Sequence, residues 1–290
     1  MTKRTIAVMG ATGHIGSVLT GILLAKGHEV RALGRDAAKL NALAAKGAKS
    51  RAVALSDGTA LSDAFSGTEA AFVMIPPSYQ DRSTEVIVQA LRKAGVRKVV
   101  ALSSVGAQHA QGTGPIKGLH RMEQRLRQSG GPDAALLRPS YFMENHLFSI
   151  PTIKAMGING SSLKAGLALP QIATKDIAAR AADLLDRADF KGATVHEFAG
   201  PKDLTMTEVT ALLGQAIGNP DLRYVEFPYA DAEKAMAGMG MPPATAALMV
   251  EMYRGINDGL VQFEKPLTAA QRTRTTLEDF APVFAAAFKA

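Results

Sequence analysis

Three glycines set three residues apart, Gly10, Gly13 and Gly16, follow the apolar run Ile6-Ala7-Val8-Met9 and precede the apolar positions Val18, Leu19, Ile22 and Leu23. An apolar strand that enters such a loop and leaves it as a helix brings bare backbone up to a bound phosphate. Each glycine meets a separate need. Gly10 allows a tight turn, Gly13 withholds the side chain that would block a pyrophosphate, and Gly16 lets the helix pack closely on the strand. Thr12, His14 and Ile15 complete the loop, and the first amides of the helix are free to bind phosphate oxygens. The chemistry this predicts is the binding of a dinucleotide.

Arg35 bears on which dinucleotide it is. A second strand, His28 to Gly34, follows after one helix length and completes a βαβ unit of about thirty residues. An acid at the end of that strand would accept hydrogen bonds from the ribose of NAD, whereas an arginine suits the 2′-phosphate of NADP. The strand ends Leu33-Gly34-Arg35. Asp36 reads instead as the N-cap of the next helix, and Lys39, one turn further on, can add a second positive charge. NADP(H) is therefore the expected cofactor.

Positioning these groups requires strands and helices in alternation. Strands are predicted over 5–9, 29–33, 51–55, 70–75, 98–102 and 134–137, and helices over 13–25, 37–45, 61–65, 83–93 and 116–128. Lys26-Gly27, Lys46-Gly47 and Ala94-Gly95 read as helix stops in a left-handed cap. Such alternation implies an α/β fold, a Rossmann-type doubly wound parallel sheet, over residues 1–150. From residue 151 the text changes: Pro151, Gly157, Gly160, Gly166 and Pro170 break the pattern. Residues 151–290 are expected to form a smaller, irregular α+β substrate-binding part. It would hold a helix over 175–187, a strand over 195–199, a helix over 207–217, a strand over 223–227 and mostly helix thereafter. The helix over 175–187 is free to return to the first domain. Met236, Met239, Met241, Met249 and Met252 read as core filler.

Composition excludes several classes. The chain has 290 residues, 47% of them hydrophobic, which is ample for a packed core. No apolar run approaches the roughly twenty residues that span a bilayer, and no leader pattern opens the chain, so a cytoplasmic protein without membrane partners is expected. The absence of cysteine rules out disulfides, thiolate metal sites and a cysteine nucleophile. The six histidines, at 14, 28, 109, 120, 146 and 196, show no metal-ligand spacing, and no metal is expected. The formal charge of +7 is spread along the chain, which argues against nucleic acid and is compatible with attraction of a polyanionic cofactor.

With the glycine loop, Arg35 and the strand ends in place, the chain resembles the NmrA-like group of atypical short-chain dehydrogenases/reductases, which includes bacterial quinone reductases. The resemblance is strongest in three places: Gly10-Ala11-Thr12-Gly13-His14-Ile15-Gly16; Leu102-Ser103-Ser104-Val105-Gly106-Ala107; and the stretch from Leu119-His120-Arg121-Met122-Glu123 to Leu137-Arg138-Pro139-Ser140-Tyr141-Phe142-Met143-Glu144-Asn145. It implies NADP(H) across the strand ends, with Ile75, Pro76 and Ser103 on the cofactor side. It also implies a small substrate pocket, to which Pro77, Ser104, Tyr141, Phe142 and Asn145 are assigned. Two departures stand out. The acid that often ends the third strand in this family falls at Ala54, with Asp57 three residues later. The Tyr-x-x-x-Lys pair of typical short-chain dehydrogenases is absent, since none of Tyr79, Tyr141, Tyr224, Tyr229 and Tyr253 has a lysine four residues on.

In the corresponding helix stand Lys117 and His120, which share one face opposite Leu119, Met122 and Leu126. Either is a candidate proton donor, and either is also an ordinary polar residue of an amphipathic helix. The first functional reading is an NADPH-dependent reductase of a small apolar electrophile: a quinone, an enone or a related carbonyl. The second is a non-catalytic NADP(H)-sensing regulator that binds a protein partner. A homodimer is compatible with both. A sugar-nucleotide epimerase fits poorly, because that chemistry depends on the missing tyrosine pair.

Overall fold

The computed structural model describes residues 3–75, 81–128 and 130–290, so Pro76 and Pro77, expected beside cofactor and substrate, lie outside the described residues. In chain order the elements are β1 (Thr5–Met9), α1 (His14–Ala25), β2 (Glu29–Gly34), α2 (Ala37–Ala44), β3 (Lys49–Ala52), α3 (Gly58–Phe65), β4 (Ala70–Val73), α4 (Asp81–Lys93), β5 (Lys98–Leu102), α5 (Ile116–Arg127) and β6 (Asp133–Pro139). Then come β7 (Tyr141–Phe142), a 3-10 segment (Met143–Ser149), α6 (Ile150–Met156), β8 (Ile158–Ser161), β9 (Leu169–Ile172), α7 (Thr174–Arg187) and β10 (Ala193–Phe198). The chain closes with β11 (Asp203–Leu204), α8 (Met206–Ala216), β12 (Arg223–Glu226), α9 (Tyr229–Gly238), α10 (Pro243–Asn257) and α11 (Leu277–Lys289).

Seven strands form one sheet in the order β10-β6-β5-β4-β1-β2-β3. Pairing is parallel from β1 to β2 and β3 on one side, and from β1 through β4 and β5 to β6 on the other. Strand order therefore reverses between β1 and β4. Ligands of open α/β sheets bind outside the carboxyl ends of the strands at such a reversal, and Gly10 immediately follows the carboxyl end of β1.

Burial explains why these strands form a doubly covered sheet. Side chains alternate along a strand. Ala7 and Met9 of β1, Ala71 and Val73 of β4, and Val99 and Ala101 of β5 join one buried cluster with Phe65 of α3, Leu91 of α4 and Met122 of α5. The alternate residues Ile6, Val8, Phe72 and Val100 are just as buried, as are Leu19 and Leu23 of α1 and Ile177 and Leu185 of α7. Apolar side chains on both faces are what a parallel sheet with helices on each side requires. Gly27, Gly47 and Gly95 all have positive φ, at +85, +100 and +69°, as the left-handed stops demand.

Three local expectations are corrected. β3 ends at Ala52, whereas a strand was expected over 51–55; it is an exposed edge strand, so the apolar Val53 and Leu55 that suggested it lie just beyond. α3 begins at Gly58, three residues before the expected Leu61, because the Asp57 carboxylate accepts from the Ala60 amide at 2.9 Å and adds a turn that carries no apolar signal. Between residues 139 and 174 the sequence offered only breaks. The structure has β7, β8 and β9 there, each of four residues or fewer and two of them carrying Gly160 or Pro170.

The chain divides into two compact units: Met1–Ser104, Gly118–Arg138 and Ile177–His196 form one, and Val105–Lys117, Pro139–Asp176 and Glu197–Ala290 the other. In the second, β7, β9 and β11 form a three-stranded sheet and β8 pairs in parallel with β12. Among the described residues no helix is long and apolar enough to cross a membrane.

Within the first unit, Asp186 of α7 fastens the ends of β1 and α1. Its carboxylate receives the Lys26 ammonium at 2.7 Å and lies 3.1 Å from Nε2 of the buried His28. The Arg4 amide donates to Nδ1 of the same ring at 3.3 Å, so the imidazole carries its proton on Nε2 and donates to Asp186. The hydrogen bond from Lys26 is the chief reason the Asp186 carboxyl is held below the usual carboxylate range. A depressed native value stabilises the fold above the unfolded value, near 3.9, and that contribution is lost as pH falls through the native value. Asp186→Asn should lower unfolding free energy by roughly 1–3 kcal/mol at neutral pH. In denaturant titrations the gap to the parent should close between about pH 5 and pH 2, and a gap that persists at low pH would contradict this account.

Candidate functional site

The three glycines of the first loop are needed for three different reasons, and their geometry separates them. Gly10 has φ +69°, a left-handed conformation that side chains resist, and a β-carbon there would also lie 2.6 Å from the Met74 sulfur at the end of β4. Gly16 lies inside α1, where a β-carbon would overlap the Gly10 carbonyl oxygen and come within 2.7 Å of its carbon and 2.8 Å of the Ala11 Cα. Gly13 differs. With φ −87° and ψ 176° it is extended, and a β-carbon would meet nothing closer than the Gly10 oxygen at 3.4 Å. The fold itself does not require glycine at this exposed position.

Gly13 is also the N-cap of α1, and among the described residues no side chain caps that helix. The first helical hydrogen bond is from Ser17 to the Gly13 oxygen, which leaves the preceding amides pointing out of the helix end. Thr12 is half-buried, His14 is exposed, and Ile15 is buried. The Ala11 amide donates to the Leu33 oxygen at 3.0 Å, which ties the loop to the end of β2.

Arg35 follows directly from β2. It is exposed, and among the described residues its guanidinium has no ion-pair partner. Asp36, the one competing acid, is occupied as the sequence suggested: its carboxylate accepts from the Lys39 amide at 3.1 Å and caps α2. The Lys39 ammonium, 70% exposed, lies 3.8 Å from the same carboxylate. An open position at Gly13, an uncapped helix start and an unpaired guanidinium beside it fit a dinucleotide that bears an extra phosphate.

The other residues expected on the cofactor side are more enclosed. Ile75 belongs to the main apolar cluster. Ser103 is 2% exposed at the end of β5, and its hydroxyl donates to Glu123 at 2.5 Å. Glu123 is buried and held in a two-pronged ion pair by Arg138, with bonds of 2.9 and 2.7 Å, while Arg127 lies 3.6 Å away. The sequence reading did not anticipate this network; its signal was an acid on the apolar face of α5 opposite an arginine in the apolar strand β6. Ser104 is half-buried.

The proton-donor candidates fall on either side of the unit boundary within α5. In the second unit, Lys117 grips Glu251 of α10 at 2.8 and 3.1 Å, and the Gly112 amide donates to the same carboxylate. Its ammonium is thus committed to a clasp that the sequence did not reveal, because Glu251 lies far along the chain. His120 is half-buried and belongs to the first unit.

Tyr141, Phe142 and Asn145 lie together in the second unit, on β7 and the 3-10 segment. Tyr141 packs on the apolar group of Leu163, Leu169, Met206 and Ile256, which Tyr224 and Tyr253 also touch. Desolvation drives the Tyr141 phenol well above its ordinary range; Tyr253 and Tyr224 push it further, and the Asn145 side chain opposes the rise. Tyr224, pushed up to about 12 by burial, donates to the Leu163 oxygen at 2.8 Å. Burial also raises Tyr253. His146 adjoins Tyr141 with ring centroids 5.6 Å apart, and burial lowers it to about 4, so the ring is neutral near pH 7.

This fold and loop define a class of dinucleotide-binding α/β proteins, and comparison with known proteins narrows it. Residues 2–281 match the NmrA-like family, to which this chain belongs. The NAD(P)H azoreductase of Xenophilus azovorans is 32% identical over 98% of this chain and 99% of its own. Quinone oxidoreductase 2 of Escherichia coli strain K12 is 29% identical over 88% of both chains. The crystal structure of the Escherichia coli NADPH-dependent quinone oxidoreductase complexed with NADPH superposes with a TM-score of 0.80 at 26% identity, covering 95% of this chain and 98% of that one.

Substitutions in the loop separate space kept for a ligand from space needed by the fold. Gly13→Val should cost no more than about 1 kcal/mol of stability, the scale of a poorer N-cap, yet abolish NADPH binding in calorimetry. Gly16→Ala should destabilise by roughly 1–3 kcal/mol or more, because backbone must move. A folded Gly13→Val protein that binds NADPH as the parent does would remove the loop from this role.

Proposed function

We propose that this chain reduces a small, planar, fairly apolar electrophile, a quinone or a related conjugated carbonyl, at the expense of NADPH. That it is an NADPH-dependent oxidoreductase follows from its family and its relatives; the acceptor is the new element. The observation that carries the cofactor half is the exposed Gly13 beside the unpaired Arg35. In this reading the loop from Gly10 to Gly16 holds the pyrophosphate, Arg35 holds the 2′-phosphate with Lys39 in support, and Ile75 and Ser103 lie on the cofactor side. The acceptor half is supported by the names of the relatives, an azoreductase and a quinone oxidoreductase, and by the aromatic group around Tyr141 in the second unit.

Reduction of a quinone to a quinol takes up one hydride and one proton. NADPH supplies the hydride when bound. The chain's own part is to orient the acceptor, exclude water and steady the negative charge that gathers on the acceptor oxygen. Lys117 is a poor choice for the proton, since its ammonium is clasped by Glu251. A quinol oxygen can instead take its proton from water, so the missing tyrosine and lysine pair does not bar this reaction. No observation particular to this chain favours the sensing role over turnover.

Charge-assisted hydrogen bonds to phosphate contribute roughly 1.5–3 kcal/mol each. Arg35→Ala should therefore weaken NADPH binding about ten- to a hundredfold and leave NADH nearly unchanged, as measured by calorimetry. A wild-type protein that binds NADH as tightly as NADPH would refute the assignment. Failure of the wild type to oxidise NADPH with any of a panel of quinones, enones and azo compounds would favour the sensing role.

A further inference from the structure

We infer that the outer face of α11 is where a second copy of this chain docks, the two helices packing antiparallel about a twofold axis that passes between Val283 and Phe284. The inference concerns assembly and is independent of the acceptor.

Helix α11 is apolar on every side. From Phe280 to Phe288 it reads Phe-Ala-Pro-Val-Phe-Ala-Ala-Ala-Phe, without one charged or hydrogen-bonding side chain. One stripe has its cover: Leu277, Phe280, Ala281 and Phe284 lie in a buried cluster with Val209 and Leu213 of α8. The opposite stripe does not. Glu278, Pro282, Val283, Ala286 and Lys289 recur at spacings of three and four and are all exposed, Val283 to 54%. A helix that is hydrophobic all round is ordinarily buried all round, so the outer stripe lacks its cover in the single chain. Two further exposed apolar side chains stand on the elements that pack against α11. Phe148, 82% exposed, leaves the 3-10 segment between Asn145 and α6, whose Leu147 joins the α11 cluster. Met156, 63% exposed, ends α6, and the Lys154 ammonium of α6 lies 5.5 Å from the centre of the Phe288 ring. Exposed apolar surface of this kind marks an interaction face.

The charges of the stripe identify the occupant. It opens on Glu278 and Asp279 and closes on Lys289. Asp279 is already engaged, since its carboxylate accepts from the Thr276 amide at 2.9 Å in the capping box, and Lys175 acts on it as well. Glu278 and Lys289 have no ion-pair partner among the described residues. Positions 278 and 289 lie at equal distances on either side of the point midway between 283 and 284. Two copies of α11 laid antiparallel about a twofold axis at that point bring Glu278 of each to Lys289 of the partner subunit and set the two Val283 side chains face to face. A twofold contact needs a surface complementary to itself, and this stripe has an acid at one end, a base at the other and an apolar middle in which the small Pro282 and Ala286 let the helices approach closely. Antiparallel helix dipoles favour the same arrangement. Neither a lipid surface nor a protein of another sequence requires opposite charges placed symmetrically about an apolar centre. The stripe spans roughly 17 Å of helix, a small interface, for which a dissociation constant of about 1–100 μM is expected.

The test uses the purified full chain, which contains no cysteine of its own. Sedimentation over a concentration series should show a monomer–dimer equilibrium in the micromolar range. Val283→Cys should cross-link to itself under mild oxidation, because the two copies of that position meet at the axis. Glu278→Cys, whose two copies lie roughly 16 Å apart along the helices, should not cross-link to itself but should do so with Lys289→Cys when the two proteins are mixed. Val283→Arg sets like charges against each other at the centre and should weaken association about a hundredfold or more. Glu278→Lys or Lys289→Glu alone should weaken it roughly tenfold, since each pair occurs twice, and the two together should restore it. All these positions are exposed, so circular dichroism should find every variant folded. A wild-type protein that is still a monomer at about 500 μM, a dimer indifferent to Val283→Arg, or self-cross-linking by Glu278→Cys, as parallel helices would give, would each overturn the assignment. A monomer that sediments with phosphatidylcholine vesicles, and loses this binding on Phe148→Ser, would give the face to a membrane and overturn it equally.

Discussion

Helix α1 lies so close to the turn after β1 that a single methyl group at Gly16 would overlap the Gly10 carbonyl oxygen. That approach fixes the start of the helix against the carboxyl end of β1, and three properties of the loop follow. The chain must turn sharply, so Gly10 takes a positive φ. The helix begins without a capping side chain, so its first amides face outward. Gly13, at the mouth, remains bare although its backbone would accept a side chain. The bond from the Ala11 amide to the Leu33 oxygen then sets the end of β2 beside the loop, and Arg35 follows directly.

The buried Glu123–Arg138 pair does comparable work at β5 and β6. A carboxylate and a guanidinium withdrawn from water cost several kcal/mol each unless nearly every hydrogen-bonding site is met. Here two bonds from Arg138 and one from the Ser103 hydroxyl meet them. The pair joins α5, the end of β5 and the last turn of β6 within the first unit. An apolar pair of similar volume would bury as well but would offer the Ser103 hydroxyl no acceptor. The ion pair fixes the orientation of the ends of β5 and β6, neighbouring strands on the opposite side of β1 from β3.

The elements legible in the sequence were those in which local pattern and tertiary demand agree. The three glycines, the apolar alternation of β1, β4 and β5, the glycine stops at Gly27, Gly47 and Gly95, and the Asp36 cap were all readable because each is a property of a few adjacent residues. What escaped depends on partners far apart in sequence. Glu251 holds Lys117 across 134 residues, and Gln171 holds His146 across 25. β3 misled because an edge strand has one face in solvent, so its apolar residues did not mark its extent. The short strands β7, β8 and β9 are held by pairing with each other and with β11 and β12, and no segment of four residues carries a periodic signal strong enough to announce itself. Of the candidate site, the geometry of the glycine loop was legible residue by residue, whereas the packing around Tyr141 required the fold.

The missing lysine limits what the tyrosines can do. In Tyr-x-x-x-Lys enzymes a neighbouring ammonium favours the phenolate, so the ring can give up and take back a proton as an alcohol and a carbonyl interconvert. Desolvation, with Tyr253 and Tyr224 adding to it, raises the Tyr141 phenol instead. A phenol so placed is a poor base and a poor acid but a good neutral donor, much as a carboxylic acid kept protonated by an apolar site donates a hydrogen bond without losing its proton. An acceptor whose reduced form is a stabilised, acidic oxyanion needs no enzyme acid, only hydride delivery and a donor to hold the charge. Quinones satisfy that condition and unactivated ketones do not, which is why the acceptor proposed for this chain does not require the missing pair.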